Sequence, residues 1–360
     1  MSDTPEPTTR RAFISCAGAV AGIGTLAAIG SAEDKRKDSN RVIHLKGDRS
    51  NPIKNRDIRK AVQKSRSNHV NRGNSPPDKD VAALPSNKEG DLIEFIIAHG
   101  SGGETYHYGG IAEGSEGVKM IRERAKTRKK QIGERVRKRR GKDSSASQAN
   151  NEVTASASLG SSSNHDTYYD EVDHGNWDYA NDPYGVVTNN WDLYYLYNDN
   201  DSDKDNWAFK HWHVIEPGTR AFNSNWRGHR GHPKHDWSIN DLGGVALDQH
   251  GPTTDLDKDD KNISVNLGVN TAYLSWNYTK DKFQQEDKTS YYNDYAKWKL
   301  IIKEPIDQKL VSVNPGSSAW LDEGTGTILK MKGNHKFVKW VLGLKKTYTM
   351  KPHWWIESAT

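Results

Sequence analysis

Apolar and polar positions alternate with a period of two along much of the second half of the chain. Ile263, Val265, Leu267 and Val269 alternate with Ser264, Asn266 and Gly268. After Asn270 and Thr271 the pattern resumes, with Ala272, Leu274, Trp276 and Tyr278 against Tyr273, Ser275 and Asn277. Successive strand side chains point to opposite faces, so this pattern predicts a hairpin with one apolar face. Similar runs predict strands over Trp191–Tyr197, Phe209–Glu216, Lys297–Ile302, Leu310–Val313, Thr327–Lys332, Lys336–Leu342 and Leu344–Met350. Breaks such as Pro217-Gly218 and Pro315-Gly316 separate several of them. Around nine strands without a helical pattern predict an antiparallel β-sandwich.

The first half has a different periodicity. Arg41–Gly47 reads as a short strand. Asn51-Pro52 is a helix start, and Ile58, Ala61 and Val62 share one face of a helix running to about Arg66. Leu92–Ala98 and Glu104–Gly110 read as strands joined across a Gly-rich turn. Val118, Ile121, Ala125, Ile132 and Val136 recur at helical spacing after Ser115, predicting a helix to Arg139. These elements define a small α+β domain with a narrow core.

Composition sharpens the division. Hydrophobic residues make up only 33% of the chain and charged residues 28%. Lys and Arg dominate from Glu33 to Asp143, whereas acids dominate from Ser144 onward, within a net charge of +5. All 12 tryptophans lie at or after Trp177. Residues 144–164 are rich in Ser, Ala and Asn, a composition that cannot bury a core and reads as a linker. The expected organisation is therefore a leader at 1–32, a basic α+β domain at 33–143, a linker at 144–164 and an aromatic-rich β-sandwich at 165–360.

The leader rests on Arg10-Arg11, an uncharged stretch from Ala17 to Gly30, and the small residues before Ala32. This pattern resembles a twin-arginine (Tat) export signal, with Asp- and Asn-rich surroundings similar in style to those of halophilic archaea. The resemblance implies engagement of the Tat translocase, cleavage after Ala32, and export as a folded protein to the medium or cell surface. The apolar stretch is too short to span a bilayer as a helix, so no integral span is expected in the mature form. Cys16 is the only cysteine. After cleavage there would be no disulfide, thiol nucleophile or thiolate ligand.

Several clusters are candidates for chemistry. His211 and His213 flank Trp212, and on a strand both imidazoles would share a face; His229, His232 and His235 follow nearby. Together they are a candidate zinc or copper site. Asp199, Asp201, Asp203 and Asp205 alternate like the start of a calcium loop. An EF-hand fails there, since Lys210 falls where a bidentate Glu is needed, so only a looser calcium loop fits. Trp226 and Trp237, among polar neighbours, are candidates for stacking on a ligand. The Lys/Arg-rich stretch from Arg122 to Lys142 suits a polyanionic surface, and Arg139-Arg140 suits proteolytic processing. No nucleophile, general base or acid stands in a recognisable catalytic arrangement, so a binding role is expected rather than an enzyme. The readings are, in order, an exported binder of glycan or cell-envelope material, a secreted antimicrobial or membrane-active toxin with a basic pro-region, and a metal-dependent hydrolase.

Overall fold

The near-continuous apolar run from Leu92 to His99 is buried along its whole length, because a helix covers each of its faces. In the computed structural model, residues 42–70, 92–100, 105–112, 114–138, 167–198, 203–269, 272–324 and 326–357 are described. The first elements are β1 (Val42–Lys46), α1 (Asn55–Val70), β2 (Leu92–His99), β3 (Thr105–Ala112) and α2 (Ser115–Lys138). On one face of β2, Phe95 and Ile97 pack with Ile58, Ala61 and Val62 of α1. On the other, Ile96 packs with Tyr108 of β3 and with Ile121 and Ala125 of α2. The helical stripes read from the sequence are the ones buried.

The sheet does not stop at this small α+β element. β4 (Tyr168–Asp182), β5 (Gly185–Tyr197) and β6 (Lys204–Pro217) follow. β3 runs parallel to β4, in register from Thr105 opposite Gly175 to Ala112 opposite Asp182. The α2 helix crosses between them, and Arg124 and Arg128 reach acids of the sheet, Glu216 and Asp178. Residues on both sides of the Ser-rich stretch therefore lie in one compact unit, Asn40–Thr360, where composition suggests two. Residues 144–164 themselves lie outside the described residues. All other strand pairings described are antiparallel.

The later elements are the short helix α3 (Gly218–Ala221), β7 (Arg227–Asp236), β8 (Ala246–Gly251), β9 (Asn262–Val269), β10 (Ala272–Thr279), β11 (Gln284–Asp287) and β12 (Tyr295–Ile301). β13 (Val311–Val313), β14 (Gly316–Asp322), β15 (Thr327–Val341), β16 (Leu344–Met350) and β17 (His353–Glu357) complete the fold. The fold is mainly β and has several sheets. The largest runs β1-β2-β3-β4-β5-β6-β14-β8, with β13 beside β6. A second runs β11-β12-β7-β15-β16, with β17 beside β15. β9 and β10 form a two-stranded sheet of their own.

Side chains of the two large sheets meet. Trp177 of β4 stands edge-on to Trp354 of β17, with ring centroids 3.8 Å apart. Phe209 of β6 meets His235 of β7 at 4.8 Å. Gly231 of the second sheet permits the approach: a Cβ there would lie 3.1 Å from Ile215 of β6. β15 is one strand where the sequence predicts two, since Gly333 and Asn334 continue the alternation.

Candidate functional site

The histidines come from facing strands. His211 and His213 on β6, His235 on β7 and His335 on β15 are all fully buried. Asn189 of β5 binds two of them: its Oδ1 accepts from His211 Nε2 at 2.8 Å and from His213 Nδ1 at 2.7 Å. His211 Nδ1 then accepts from His235 Nε2 at 3.2 Å. His235 Nδ1 accepts from the Ser317 hydroxyl at 2.8 Å, and that oxygen accepts from Trp237 Nε1 at 2.9 Å. An amide oxygen cannot donate, so this assignment gives each histidine one proton and leaves it neutral. Burial holds His213 and His235 down to about 3 and pushes His211 and His335 well below the ordinary imidazole range. Neighbouring histidines act in the same direction.

The predicted trio His211, His213 and His235 is thus brought together, but by hydrogen bonds. His229 and His232, also on β7, are half-buried. His229 Nε2 is 2.9 Å from Lys345 Nζ, and burial holds both rings down to about 4. Among the described residues, no group of three or more His, Cys, Asp or Glu is placed to hold a metal ion. Sequence reasoning missed Asn189, Ser317 and His335. The alternation Met331, Gly333, His335, Phe337 marks His335 as inward-facing; nothing local marks the other two.

The remaining candidates are placed as follows. Asp205 accepts from the Tyr195 hydroxyl at 2.6 Å, which occupies one of its oxygens. Asp203 is exposed, and Asp199 and Asp201 lie outside the described residues. Trp237 is wholly buried, and Trp226 is 6% exposed, edge-on to Tyr184 at 4.6 Å. Neither can stack on an external ligand, so the expected exposure of these two rings is corrected: they fill the core. In the basic helix Arg122, Arg124 and Arg128 turn inward to Glu94, Glu216 and Asp178. Arg139, Arg140, Arg10, Arg11 and Ala32 lie outside the described residues.

The β9–β10 hairpin is the most unusual element. No charged side chain occurs between Lys261 and Lys280, in a chain that is 28% charged. Ile263, Val265, Leu267, Ala272, Trp276 and Tyr278 are buried on one face. The outer face presents Ser264, Asn266, Tyr273, Ser275 and Asn277, with Ser264 bonded to Asn277 at 2.5 Å and Ser275 to Asn266 at 2.7 Å. The register places like with like, Val265 opposite Trp276 and Ser264 opposite Asn277. No strand of another sheet pairs with it among the described residues.

Side chains hold it in place. The Gln249 amide of β8 both donates to and accepts from the Gly268 backbone, the latter at 2.8 Å. Trp276 Nε1 donates to the Asn314 carbonyl at 2.8 Å. Gly251 and Gly316 form the floor: a Cβ on Gly316 would lie 2.3 Å from the Trp276 ring, and one on Gly251 3.4 Å from Val265 Cβ. At the base, Lys280 Nζ donates to the carbonyls of Asp257 at 2.7 Å, Asp281 at 3.2 Å and Phe283 at 2.5 Å. Chemically, this is an amphipathic hairpin docked by its apolar face on a glycine floor.

No family model matches the chain, and no curated protein matches it. Among solved structures, one similar chain is titled a pore forming protein; it is 8% identical, with a TM-score of 0.29 over 52% of this chain and 88% of that one. Another is the Clostridium perfringens NetB toxin in its membrane inserted form, 7% identical, with a TM-score of 0.24 over 51% of this chain and 94% of that one. Likeness at this level does not define a shared fold. No helix among the described residues is long and apolar enough to cross a membrane.

Proposed function

We propose that this chain is a membrane-active protein that delivers the β9–β10 hairpin into a lipid bilayer. The observation that carries the reading is the hairpin itself: uncharged, strictly alternating, and, among the described residues, paired with no strand of another sheet. Lipid-facing strands need an unbroken apolar face, and the opposite face may stay polar only where it meets water. Eight residues a side at about 3.3 Å each, tilted by roughly 40°, span about 20 Å, most of the ~25 Å apolar band of membrane β-barrels.

A lone hairpin would leave two unpaired edges in hydrocarbon, each orphaned backbone group costing several kcal/mol. Insertion therefore requires several copies to close a barrel, two strands from each. The two large sheets form the β-sandwich body that stays outside the bilayer, and the Tat-like leader carries the protein out of the cell. The glycan reading loses its motive, since Trp226 and Trp237 are interior.

Dye release from vesicles tests the reading. Gly251→Cys with Val265→Cys, in a chain with Cys16→Ser, places the two Cβ atoms about 3.4 Å apart, close to disulfide geometry. The oxidised protein should release no dye, and reduction should restore release. Equal release from the oxidised and reduced forms, or none from the unsubstituted protein, removes the proposal.

A further inference from the structure

The β15–β16 turn exposes a concentrated apolar tip. Leu342 is 98% exposed, Leu344 71% and Trp340 58%, with Val341 beside them. The turn is a tight one, with Leu342 and Gly343 both at positive φ, 50° and 79°. Such a connection matches the twist of the two strands. Water-exposed leucine at this level is unfavourable, and a cluster of such residues marks a surface that is covered in use.

The charges flanking the tip in sequence are of one sign, while Glu304 and Asp307 are held by Arg227, which faces Val338. Lys339, Lys345 and Lys346 flank it, and Arg230 and Lys336 face each other further along the ladder between β7 and β15. The chain carries no Asp or Glu between Glu323 and Glu357. None of these three lysines forms an ion pair among the described residues. Lys345 instead sits 5.6 Å above the Trp340 ring and touches His229. The same crowding of cations helps to hold His229 below its ordinary range, after burial.

We propose that this tip docks the protein onto an anionic lipid bilayer. Trp340 and the two leucines enter the headgroup region, where an aromatic ring and aliphatic tips leave water together. The lysines stay at the phosphate level and meet the negative surface. A protein partner would need an apolar pocket lined with acids; a lipid surface supplies both properties without a matching shape. The inference goes beyond hairpin insertion: the tip binds whether or not β9–β10 leaves its place.

Sedimentation of the full chain with vesicles tests it, using phosphatidylcholine alone and phosphatidylcholine with phosphatidylserine. The protein should sediment with the serine-containing vesicles. Leu342→Asp with Leu344→Asp should abolish that binding, and the exposure of both sites should leave the melting temperature unchanged. Lys339→Gln, Lys345→Gln and Lys346→Gln together should weaken it about a hundredfold, near fivefold per lysine. The disulfide-locked 251–265 protein should bind fully and release no dye, which separates docking from insertion. Three results overturn the proposal: undiminished binding by the Leu342→Asp, Leu344→Asp variant; equal binding to both vesicle types; or a change from oligomer to monomer in that variant, which would make the tip a contact between copies.

Discussion

A neutral imidazole has one donor and one acceptor, and the chain Asn189–His211–His235–Ser317–Trp237 uses them in one direction. Adding a proton to His211 would set two N–H groups against each other at 3.2 Å. The consequence is a pH-dependent stability. His107, His211, His213, His235 and His335 are neutral and buried when folded, with pKa values depressed from 6.5, to about 3 for His107, His213 and His235. Below pH 6.5 the unfolded chain binds protons that the folded one refuses, so stability falls as pH falls, from about 6.5 down to about 3. Each group adds about 1.4 kcal/mol per pH unit to that loss. Thermal melts between pH 7.5 and pH 4.5 should show a steep fall that His335→Leu makes shallower; a flat profile would contradict the neutral chain. The sequence placed His211 and His213 on one face but assigned them to a metal. Their true partners sit on other strands, and which buried donor meets which acceptor is a property of the assembled sheets.

At the scale of elements, alternation and helical spacing found what is strongly periodic. β9, β10, β12 and β16, together with α1 and α2, stand within a few residues of their predicted bounds. β7 was hidden because Arg-Gly-His-Arg-Gly-His-Pro-Lys-His reads as a polar loop. It is nonetheless a central strand whose Gly231 admits Leu300 and Ile215. β4, β8, β11, β14 and β17 were also missed; in β4, covered polar residues such as Asn176 and Asp178 erase the contrast that alternation needs. The glycine floor was equally illegible, since a residue without a side chain leaves no pattern. It makes a sharp prediction. Gly316→Val would press on the Trp276 ring from 2.3 Å, and overpacking of this kind costs roughly 1–3 kcal/mol. That strain falls on the hairpin's seat, so amide hydrogen exchange should accelerate in β9 and β10 ahead of β5 and β6, and dye release should begin sooner. Exchange that rises equally everywhere would mean that the hairpin is not a separable element.

For the whole molecule, charge and tryptophan content change near residue 150, yet the sheet runs through that point. Composition reports what each stretch can bury by itself; the β3–β4 ladder depends on segments far apart, which composition does not record. Cleavage near Arg139-Arg140 should therefore leave both pieces in one particle. Size-exclusion chromatography after limited proteolysis should show co-elution without denaturant, and separate peaks would restore the picture of a detachable pro-region. The outer face of the hairpin has a last implication. Ser264, Asn266, Ser275 and Asn277 would line the water-filled side of an assembled barrel, and none of them carries a formal charge. A conduit walled by amides and hydroxyls has no fixed field with which to sort cations from anions. Planar-bilayer currents under a potassium chloride gradient should accordingly reverse close to zero millivolts, with weak rectification, and bringing acidic side chains to those four positions should shift the reversal toward the potassium equilibrium potential.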